Sequence, residues 1–449
     1  MIRNGKKKAI SCALVAAMSV GLAACGTTSY DFKVSYDGIK TGDVSSKVSV
    51  HDPSILKADG EYYIFGSHMS AAKSSDLLNW EKVADGYSKK NPVYGQIYDV
   101  ADEAFAYSGS KNSLIKTDDK QVHVWAPDVI YNETTGLYYM YYCTTSTWNA
   151  SNLCYGTSTT PEGPYEWQGA LIYSGFNRKT ISGTDVLDYV DEDYAYKNYI
   201  KGAQYNYEDY PNAIDPTVFY DADGRMWMVY GSWSGGIFLL EIDKTTGLVI
   251  HPEADKANNV DPYYGKRLLG GGHISIEGPY IMYDETSGYY YLFVSYGALT
   301  SNGGYQVRVF RSKTVDGEYV DMNGKYPEKS AQHQNFGLKL TGNYKLPSLE
   351  KAYMATGHNS AFVDDDGRMY LVYHTRFNDN GEGHSPRVHQ MLVNEDGWPC
   401  ELPYQTQGET VNKDGYDADD IIGRYYVINQ GTAIDSKIAN PVILYLEKN

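Results

Sequence analysis

Five segments of this 449-residue chain repeat one pattern, which constrains the fold more than any other feature. In each segment a polar or acidic residue precedes an apolar strand, a turn and a Tyr-rich strand. The segments begin at Asp52, Asp128, Asp215, Glu277 and His358, and their turn glycines are Gly60, Gly136, Gly224, Gly288 and Gly367. Each glycine follows Asp, Ser or Thr, which is typical of tight hairpin turns. The repeat predicts five β-hairpins of one kind.

The spacing of these hairpins indicates how they assemble. Their turn glycines are 76, 88, 64 and 79 residues apart, which is too irregular for a short-period solenoid. A propeller whose four-stranded blades carry insertions of different length accommodates such spacing. Strand patterns fill the intervals, and helical periodicity is scarce. We therefore predict an all-β fold, a five-bladed β-propeller, with an irregular β-sandwich as the alternative.

The propeller places the first residues of the hairpins at one end of the central axis. Four of these five residues are carboxylates. Like charges held close together raise each other's pKa values, so such a ring is costly unless the protein uses it. The mouth of the axis is therefore the predicted functional site.

The N-terminus predicts export. A basic segment with Arg3 is followed by an apolar stretch over residues 9–24 and then by Cys25. The apolar stretch is short for a membrane span but suits a secretory signal. The Leu-Ala-Ala-Cys sequence resembles a bacterial lipobox, with Cys25 as the acylated residue; an ordinary signal is the alternative. We expect a lipoprotein signal over residues 1–25, a tether over 26–45, and anchoring at the cell surface or outer membrane, or otherwise secretion.

Composition limits the kinds of partner that the protein is expected to bind. The formal net charge is −17 and no basic cluster follows the N-terminal segment, which argues against nucleic acid. The 45 Tyr, 7 Trp and 11 Phe suit β-strands and also suit stacking on sugar rings. We expect contact with a membrane only through the lipid anchor, and a monomer.

The C-terminal part departs from the repeat. We place the propeller in residues 46–405 and a linker with part of a C-terminal β-domain in residues 406–449. Residues 421–449 predict two strands, too few for an independent β-domain. They either pack on the propeller or start a longer domain, and we favour the second because the strand pattern runs to the last residues.

Carboxylates from different blades suit the hydrolysis of a glycosidic bond. One protonated carboxyl group donates a proton to the leaving oxygen, and an ionised one activates water or attacks the anomeric carbon. A third carboxylate nearby keeps the acid protonated by repulsion. Asp52 and Asp215 precede proline, so a turn role remains an alternative for both. Glu277 has no turn preference and favours the catalytic interpretation.

The sequences around the five hairpin starts resemble the blade motifs of glycoside hydrolase family 43, and more narrowly those of its endo-1,5-α-L-arabinanases. The resemblance covers about residues 46–405, and the tail from Ile421 resembles the start of an accessory β-barrel. The motifs are Val50-His51-Asp52-Pro53-Ser54, Val124-Trp125-Ala126-Pro127-Asp128, Asn212-Ala213-Ile214-Asp215-Pro216, Ser275-Ile276-Glu277-Gly278-Pro279 and Gly357-His358-Asn359-Ser360.

The resemblance implies endo-acting hydrolysis of α-1,5-linked arabinan or arabino-oligosaccharides with inversion of configuration. Asp52 would be the general base, Glu277 the general acid, and Asp215 the residue that orients Glu277 and raises its pKa. His358 would face calcium or a similar ion at the axis, largely through water. Because calcium prefers oxygen ligands, a hydrogen-bonded histidine without an ion is the alternative.

Sugar contacts and the mode of action are less constrained. The expected substrate-binding residues are His51, Trp125, Asn212, Ser232, Trp233 and Arg376. An exo-acting α-L-arabinofuranosidase or β-xylosidase of the same family is the main alternative, because the insert from Gly183 to Tyr210 would make the enzyme exo-acting if it narrowed the cleft. A glycan-binding lipoprotein without catalysis is a second alternative, which the intact set of three acids disfavours.

Overall fold

The computed structural model describes residues 48–117, 121–146, 150–329, 332–379 and 381–447. These residues are mostly β-strands arranged in five antiparallel blades, which confirms the predicted five-bladed propeller. The predicted signal segment with Cys25 and the predicted tether lie outside the described residues. Within the described ranges, no helix has both the length and the apolar character needed to cross a membrane.

The first two blades are regular four-stranded sheets. Blade 1 contains β1 (Ser54–Ala58), β2 (Glu61–Gly66), β3 (Ser70–Ser74) and β4 (Glu81–Ala84). Blade 2 contains β5 (Val124–Asn132), β6 (Leu137–Ser146), β7 (Ala150–Ser158) and β8 (Glu166–Ser174). Between them lie the short helices α1 (Gly95–Asp99) and α2 (Ala101–Ala104).

The insert before blade 3 folds into small elements of its own. It contains α3 (Val186–Tyr189), α4 (Glu192–Asn198) and a hairpin of β9 (Ile200–Lys201) and β10 (Gln204–Tyr205). The insert packs on the outside of blade 3, where Tyr199 Oη donates to Asp261 Oδ1 at 2.8 Å. Blade 3 contains β11 (Thr217–Tyr220), β12 (Met226–Tyr230), β13 (Ile237–Asp243), β14 (Leu248–Ile250), β15 (Val260–Asp261) and β16 (Gly265–Leu269).

Blades 4 and 5 again have four strands each. Blade 4 contains β17 (Ile276–Asp284), β18 (Tyr289–Tyr296), β19 (Gln306–Ser312) and β20 (Leu338–Lys339). Blade 5 contains β21 (Tyr353–Val363), β22 (Met369–Phe377), β23 (His384–Val393) and β24 (Pro399–Glu401). Short 3-10 turns lie at Ser67–Met69, Ile181–Gly183, Lys256–Asn258 and His333–Asn335.

Buried apolar clusters join each blade to its neighbours. One cluster links blades 1 and 2, and others link blades 2 and 3, 3 and 4, and 4 and 5. A further cluster joins blade 5 to blade 1, with Val372 packed among residues such as Ile64. Because burial of apolar surface stabilises each interface, the ring of blades is closed.

The register of the inner strands contradicts one prediction made from the sequence, which concerns the position of Asp128. The backbone has positive φ at Asp52, Ala126, Asp215, Gly278 and His358, so these are the equivalent positions of the five blades. Bulges follow in β5, β17 and β21. The prediction that Asp128 lies in one ring with the other hairpin starts is therefore wrong: Asp128 lies two residues further along its strand, and Glu277 one residue before its bulge.

The C-terminal residues form a hairpin and contact the propeller. After α5 (Ala418–Ile421), strands β25 (Gly423–Val427) and β26 (Val442–Leu446) pair with each other. The segment between them packs on blade 4, where the buried Arg308 donates through Nη2 to the carbonyl of Thr432 at 2.7 Å. The boundaries at residues 405 and 406 remain predictions.

Candidate active site

Asp52 is held by partners from blades 1 and 5. Ser67 Oγ donates to its Oδ2 at 2.5 Å, and His51 Nδ1 lies 2.7 Å from the same oxygen. The other oxygen, Oδ1, lies 3.1 Å from Nδ1 of His358 in blade 5. The backbone N–H of Asp52 donates to His374 Nδ1 at 3.3 Å. The carboxyl group therefore has a fixed orientation at the mouth of the axis.

These partners keep Asp52 ionised. Burial alone would raise its pKa, but His358, His51 and His374 outweigh burial and hold the pKa of Asp52 well below its ordinary value. Burial itself lowers the pKa of His358 and His374, because it disfavours imidazolium. The hydrogen bond from His51 also favours the ionised form of the Asp52 carboxyl group.

Glu277 lies in a buried pocket of three donors. Trp233 Nε1 donates to its Oε2 at 2.6 Å, Ser232 Oγ donates to the same oxygen at 3.2 Å, and Tyr305 Oη donates to Oε1 at 2.7 Å. Burial raises the pKa of Glu277 and the charge of Asp52 raises it further, while the three donors offset only part of this effect. The group therefore keeps its proton to higher pH than an ordinary glutamate does.

Asp215 lies beside Glu277 at the start of blade 3. The backbone N–H of Gly278 donates to Asp215 Oδ2 at 3.2 Å. Burial and the charges of Glu277 and Asp52 raise the pKa of Asp215 well above its ordinary value. Because two interacting buried carboxylates disfavour double ionisation, the pair keeps its last proton to higher pH than ordinary carboxyl groups do.

The backbone at these positions is unusual. Asp52 and Asp215 each have φ near 56° and His358 has φ of 49°, values that side-chain-bearing residues rarely adopt. Gly278 also has positive φ, and a Cβ atom there would lie 3.1 Å from the His358 ring. Such conformations cluster at functional sites, where the surrounding structure maintains them.

The residues around His358 do not form a direct calcium cage. Calcium takes six to eight oxygen ligands. Of the described residues, Asp52 supplies the carboxylate at this point, and its neighbours His51, His358 and His374 supply imidazole nitrogens. A calcium ion here would depend mostly on water for its ligands.

Several residues predicted to contact sugar also hold the acids in place. His51 binds Asp52, while Ser232 and Trp233 bind Glu277. Trp125 on β5 is the structural equivalent of Glu277 on β17, because each directly precedes the bulge of its strand. A cavity of about 420 Å³ opens beside the acid, lined by Asn212, Ser232, Trp233, Ser234, His273, Glu277, Ala298, Leu299 and Thr300. Direct sugar contact by the predicted residues remains a prediction.

Arg376 is placed behind the wall of this cavity. Its side chain is buried, and Nε donates to the carbonyl of Leu299 at 2.7 Å. Nε also lies 3.2 Å from the carboxylate of Glu382, which accepts a 2.7 Å hydrogen bond from Ser301 Oγ. We call residues 298–301 the wall loop. Arg376 thus supports the wall loop through bonds that occupy its guanidinium group.

The sequence interpretation missed three residues of the site. Ser67 joins Asp52 to the backbone N–H of Ala126, Tyr305 binds Glu277, and the Ser295 hydroxyl accepts from the His358 backbone N–H at 2.7 Å. None belongs to a hairpin start. Ser67 directly follows β2 and Ser295 lies in β18, so a search at the strand ends nearest the axis would have found both.

Comparisons with known proteins agree with this geometry. The sequence profile of glycosyl hydrolases family 43 matches residues 44–209 and 191–399. An extracellular endo-α-(1→5)-L-arabinanase of Thermotoga petrophila is 39% identical over 413 residues, covering 89% of this chain and 80% of that protein. The extracellular endo-α-(1→5)-L-arabinanase 2 of Bacillus subtilis is 37% identical over 432 residues, covering 90% and 81%.

A solved structure extends the similarity to the fold. The crystal structure of the endo-1,5-α-L-arabinanase from Thermotoga petrophila superposes with a TM-score of 0.75 at 38% identity, covering 90% of this chain and 84% of that one. The profile matches most of the chain, and both relatives exceed 30% identity over nearly all of it. The chain therefore belongs to glycosyl hydrolases family 43.

Proposed function

We propose that this protein is an exported endo-acting glycosidase that hydrolyses α-1,5-linked L-arabinofuranosyl bonds of arabinan. The observation that carries the proposal is a contrast between the buried carboxyl groups: the pKa of Asp52 is lowered, whereas those of Glu277 and its neighbour Asp215 are raised, so an ionised group faces a pair that disfavours double ionisation. A glycosidase needs this pair of states at neutral pH. The two relatives named above are endo-α-(1→5)-L-arabinanases, and this similarity is the basis for proposing arabinan as the substrate.

The proposed mechanism inverts the anomeric configuration. Asp52 accepts a proton from a water molecule, whose oxygen forms a bond to the anomeric carbon. The glycosidic bond breaks on the opposite side, and Glu277 donates its proton to the leaving oxygen. Asp215 lies beside Glu277 and disfavours ionisation of both groups at once, which keeps a proton available to the acid between turnovers. Proton NMR of the first product tests this assignment, because a retained anomer contradicts it.

The cavity beside Glu277 supports endo action. Since Glu277 protonates the leaving oxygen, this cavity faces the part of the substrate that departs. Within the described chain, no residue of the insert from Gly183 to Tyr210 lines it. The insert lies against blade 3 and leaves this side of the acid accessible, which favours a longer polymer over a single terminal sugar.

The product profile on debranched arabinan tests the function. Purified protein should release a ladder of arabino-oligosaccharides from the first minutes, which chromatography resolves. Release of arabinose alone from the start would establish the exo-acting alternative. Absence of any reducing sugar, with binding to arabinan retained, would establish a glycan-binding protein.

Export and the ion are parts of the proposal with tests of their own. Both relatives are named as extracellular, which supports export of this chain. We also propose acylation of Cys25, so replacement by Ala should move the protein from the membrane fraction to the medium.

We propose a water-ligated calcium or similar ion near His358. After chelation, calorimetric titration with calcium should show saturable binding. A titration without heat of binding would contradict the proposed ion site.

A further inference from the structure

A second level of hydrogen bonds lies directly below the catalytic carboxylates. The residues two positions beyond the five positive-φ sites occupy equivalent places on the inner strands. They are Ser54, Asp128, Thr217, Tyr280 and Ser360, here called the belt. Four of the five are almost fully buried, with at most 9% of their surface exposed. The belt thus lies inside the propeller, where bonds between blades are shielded from water.

The belt links each blade to the next. Ser54 Oγ bonds Asp128 Oδ1, and Asp128 Oδ2 accepts from the backbone N–H of Val218 at 2.6 Å. The hydroxyl groups of Thr217 and Ser360 each donate at 2.8 Å to the carbonyl of a proline, Pro279 and Pro53 respectively. The Tyr280 hydroxyl bonds the backbone of Ala361. These contacts connect all five inner strands in a closed ring.

Asp128 is the one member of the belt that joins three blades through a single side chain. Its carboxyl group connects β5, on which it lies, to Ser54 on β1 and Val218 on β11. Ser54 is two residues after Asp52, and Val218 is three residues after Asp215. The spacing of these two catalytic carboxylates therefore depends on the bonds of Asp128.

We infer that Asp128 is a positioning residue of the reaction, which holds the base Asp52 and the modulator Asp215 at their working separation. The inference rests on the proposed function. Inverting hydrolysis requires the two sides of the site to leave room for one water molecule. A displacement of about 1 Å costs roughly a hundredfold in rate, so losing both bonds should act on turnover more than on substrate binding.

The conservative variant separates bonding from charge. In Asp128→Asn, the amide nitrogen can donate to Ser54 Oγ while the amide oxygen accepts from the Val218 N–H, so both links survive. Asp128→Ala removes both links. Asp221→Asn is a matched control: Asp221 is also buried, but its side chain bonds Trp227 and Arg225 within blade 3, at the far end of β11.

The experiment measures kcat and KM on linear arabinan, at temperatures where circular dichroism shows each variant folded. Asp128→Ala should lose roughly 10- to 100-fold in kcat with KM within about threefold of wild type. Asp128→Asn should recover to within about threefold, and Asp221→Asn should lose thermal stability but keep kcat. A normal kcat in folded Asp128→Ala, or equal losses in the Ala and Asn variants, overturns the inference.

A crystal structure of Asp128→Ala provides a readout that does not need activity. The backbones of Asp52 and Asp215 should be further apart, or less ordered, than in the wild-type crystal. Unchanged spacing overturns the inference even if kcat falls. An inactive wild-type enzyme would refute the proposed function, whereas an active wild type with an unaffected Ala variant would refute the positioning role alone.

Discussion

The hydroxyl group of Tyr305 donates a 2.7 Å hydrogen bond to Oε1 of Glu277, across 28 residues of sequence. Tyr305 is almost fully buried, and its ring occupies the space where a Cβ atom of residue 357 would lie, 2.4 Å from the nearest ring carbon. Any side chain at position 357 would collide with the Tyr305 ring, so glycine is required there. Glu277, the proposed acid, is thus oriented by a phenol whose ring packs against a glycine of the next blade.

Removal of this phenol should shift the pH profile upward. A donor to the carboxylate favours its ionised form, so Tyr305→Phe should raise the pKa of Glu277 above its already elevated value. The acid then stays protonated to higher pH, and the basic limb of the kcat/KM profile should move up. The peak rate should change by less than about tenfold, the value of one ordinary hydrogen bond. A downward shift of the basic limb would contradict this role of Tyr305.

Asp215→Asn should shift the same limb in the opposite direction. Loss of the neighbouring carboxyl group removes a repulsion, so the pKa of Glu277 falls and the acid deprotonates at lower pH. The kcat at pH 7 should decrease, and the profile should narrow from the alkaline side. Initial rates on linear arabinan between pH 4 and pH 9 measure this, with Tyr305→Phe as the matched comparison. An unmoved limb would show that Asp215 has no effect on the acid.

Glu277→Gln should abolish turnover while leaving binding intact. The amide keeps the shape of the side chain but has no proton to donate, and general acid catalysis contributes about 10²- to 10⁴-fold. Arabino-oligosaccharide affinity, measured by calorimetry, should stay within about threefold of wild type. A variant that retains near-normal hydrolysis would remove Glu277 from the role of acid.

Arg376→Lys tests whether this residue acts through the wall loop. Lysine keeps the charge but lacks the Nε that donates to the Leu299 carbonyl, so the loop beside the leaving-group cavity should loosen. We expect kcat/KM on linear arabinan to fall about tenfold, mainly through KM, as for one lost hydrogen bond. Arg225→Lys, at the blade 3 turn, is the control and should leave both constants unchanged. An unchanged KM in Arg376→Lys would exclude support of the wall.

The pH dependence of the free energy of unfolding should show the raised pKa of Asp128. Burial raises the pKa of Asp128 from 3.8 to about 7. Between these pH values the unfolded chain releases a proton that the folded protein keeps, so the free energy of unfolding falls as pH rises. The loss attributable to Asp128 is up to about 4 kcal/mol. Denaturant unfolding at several pH values should show a shallower decline in Asp128→Asn, and parallel curves would contradict the prediction.

The hairpins were predictable because their determinants are local. Alternating strands and a glycine beside Asp, Ser or Thr encode each hairpin, and all five turn glycines have positive φ as tight turns require. Local pattern also identified Glu277, since no turn rule accounts for a glutamate at that position. The number of hairpins then determined the number of blades.

The register of the inner strands required the tertiary structure. The bulge in β5 places Asp128 two residues along from the site, although the sequence aligns it with Asp52. Bulges depend on how a strand pairs with its neighbour and packs against other blades, which the residues of one strand do not encode.

The sequence by itself determined the five hairpins, the family resemblance and the three acids of the site. Only the tertiary structure decided that the pKa of Asp52 is lowered while those of Glu277 and Asp215 are raised, because each shift depends on burial and on partners from other blades. His358 in blade 5 approaches Asp52 from a position 306 residues away. Such contacts arise when the ring closes, and they give similar hairpin starts different surroundings and different pKa values.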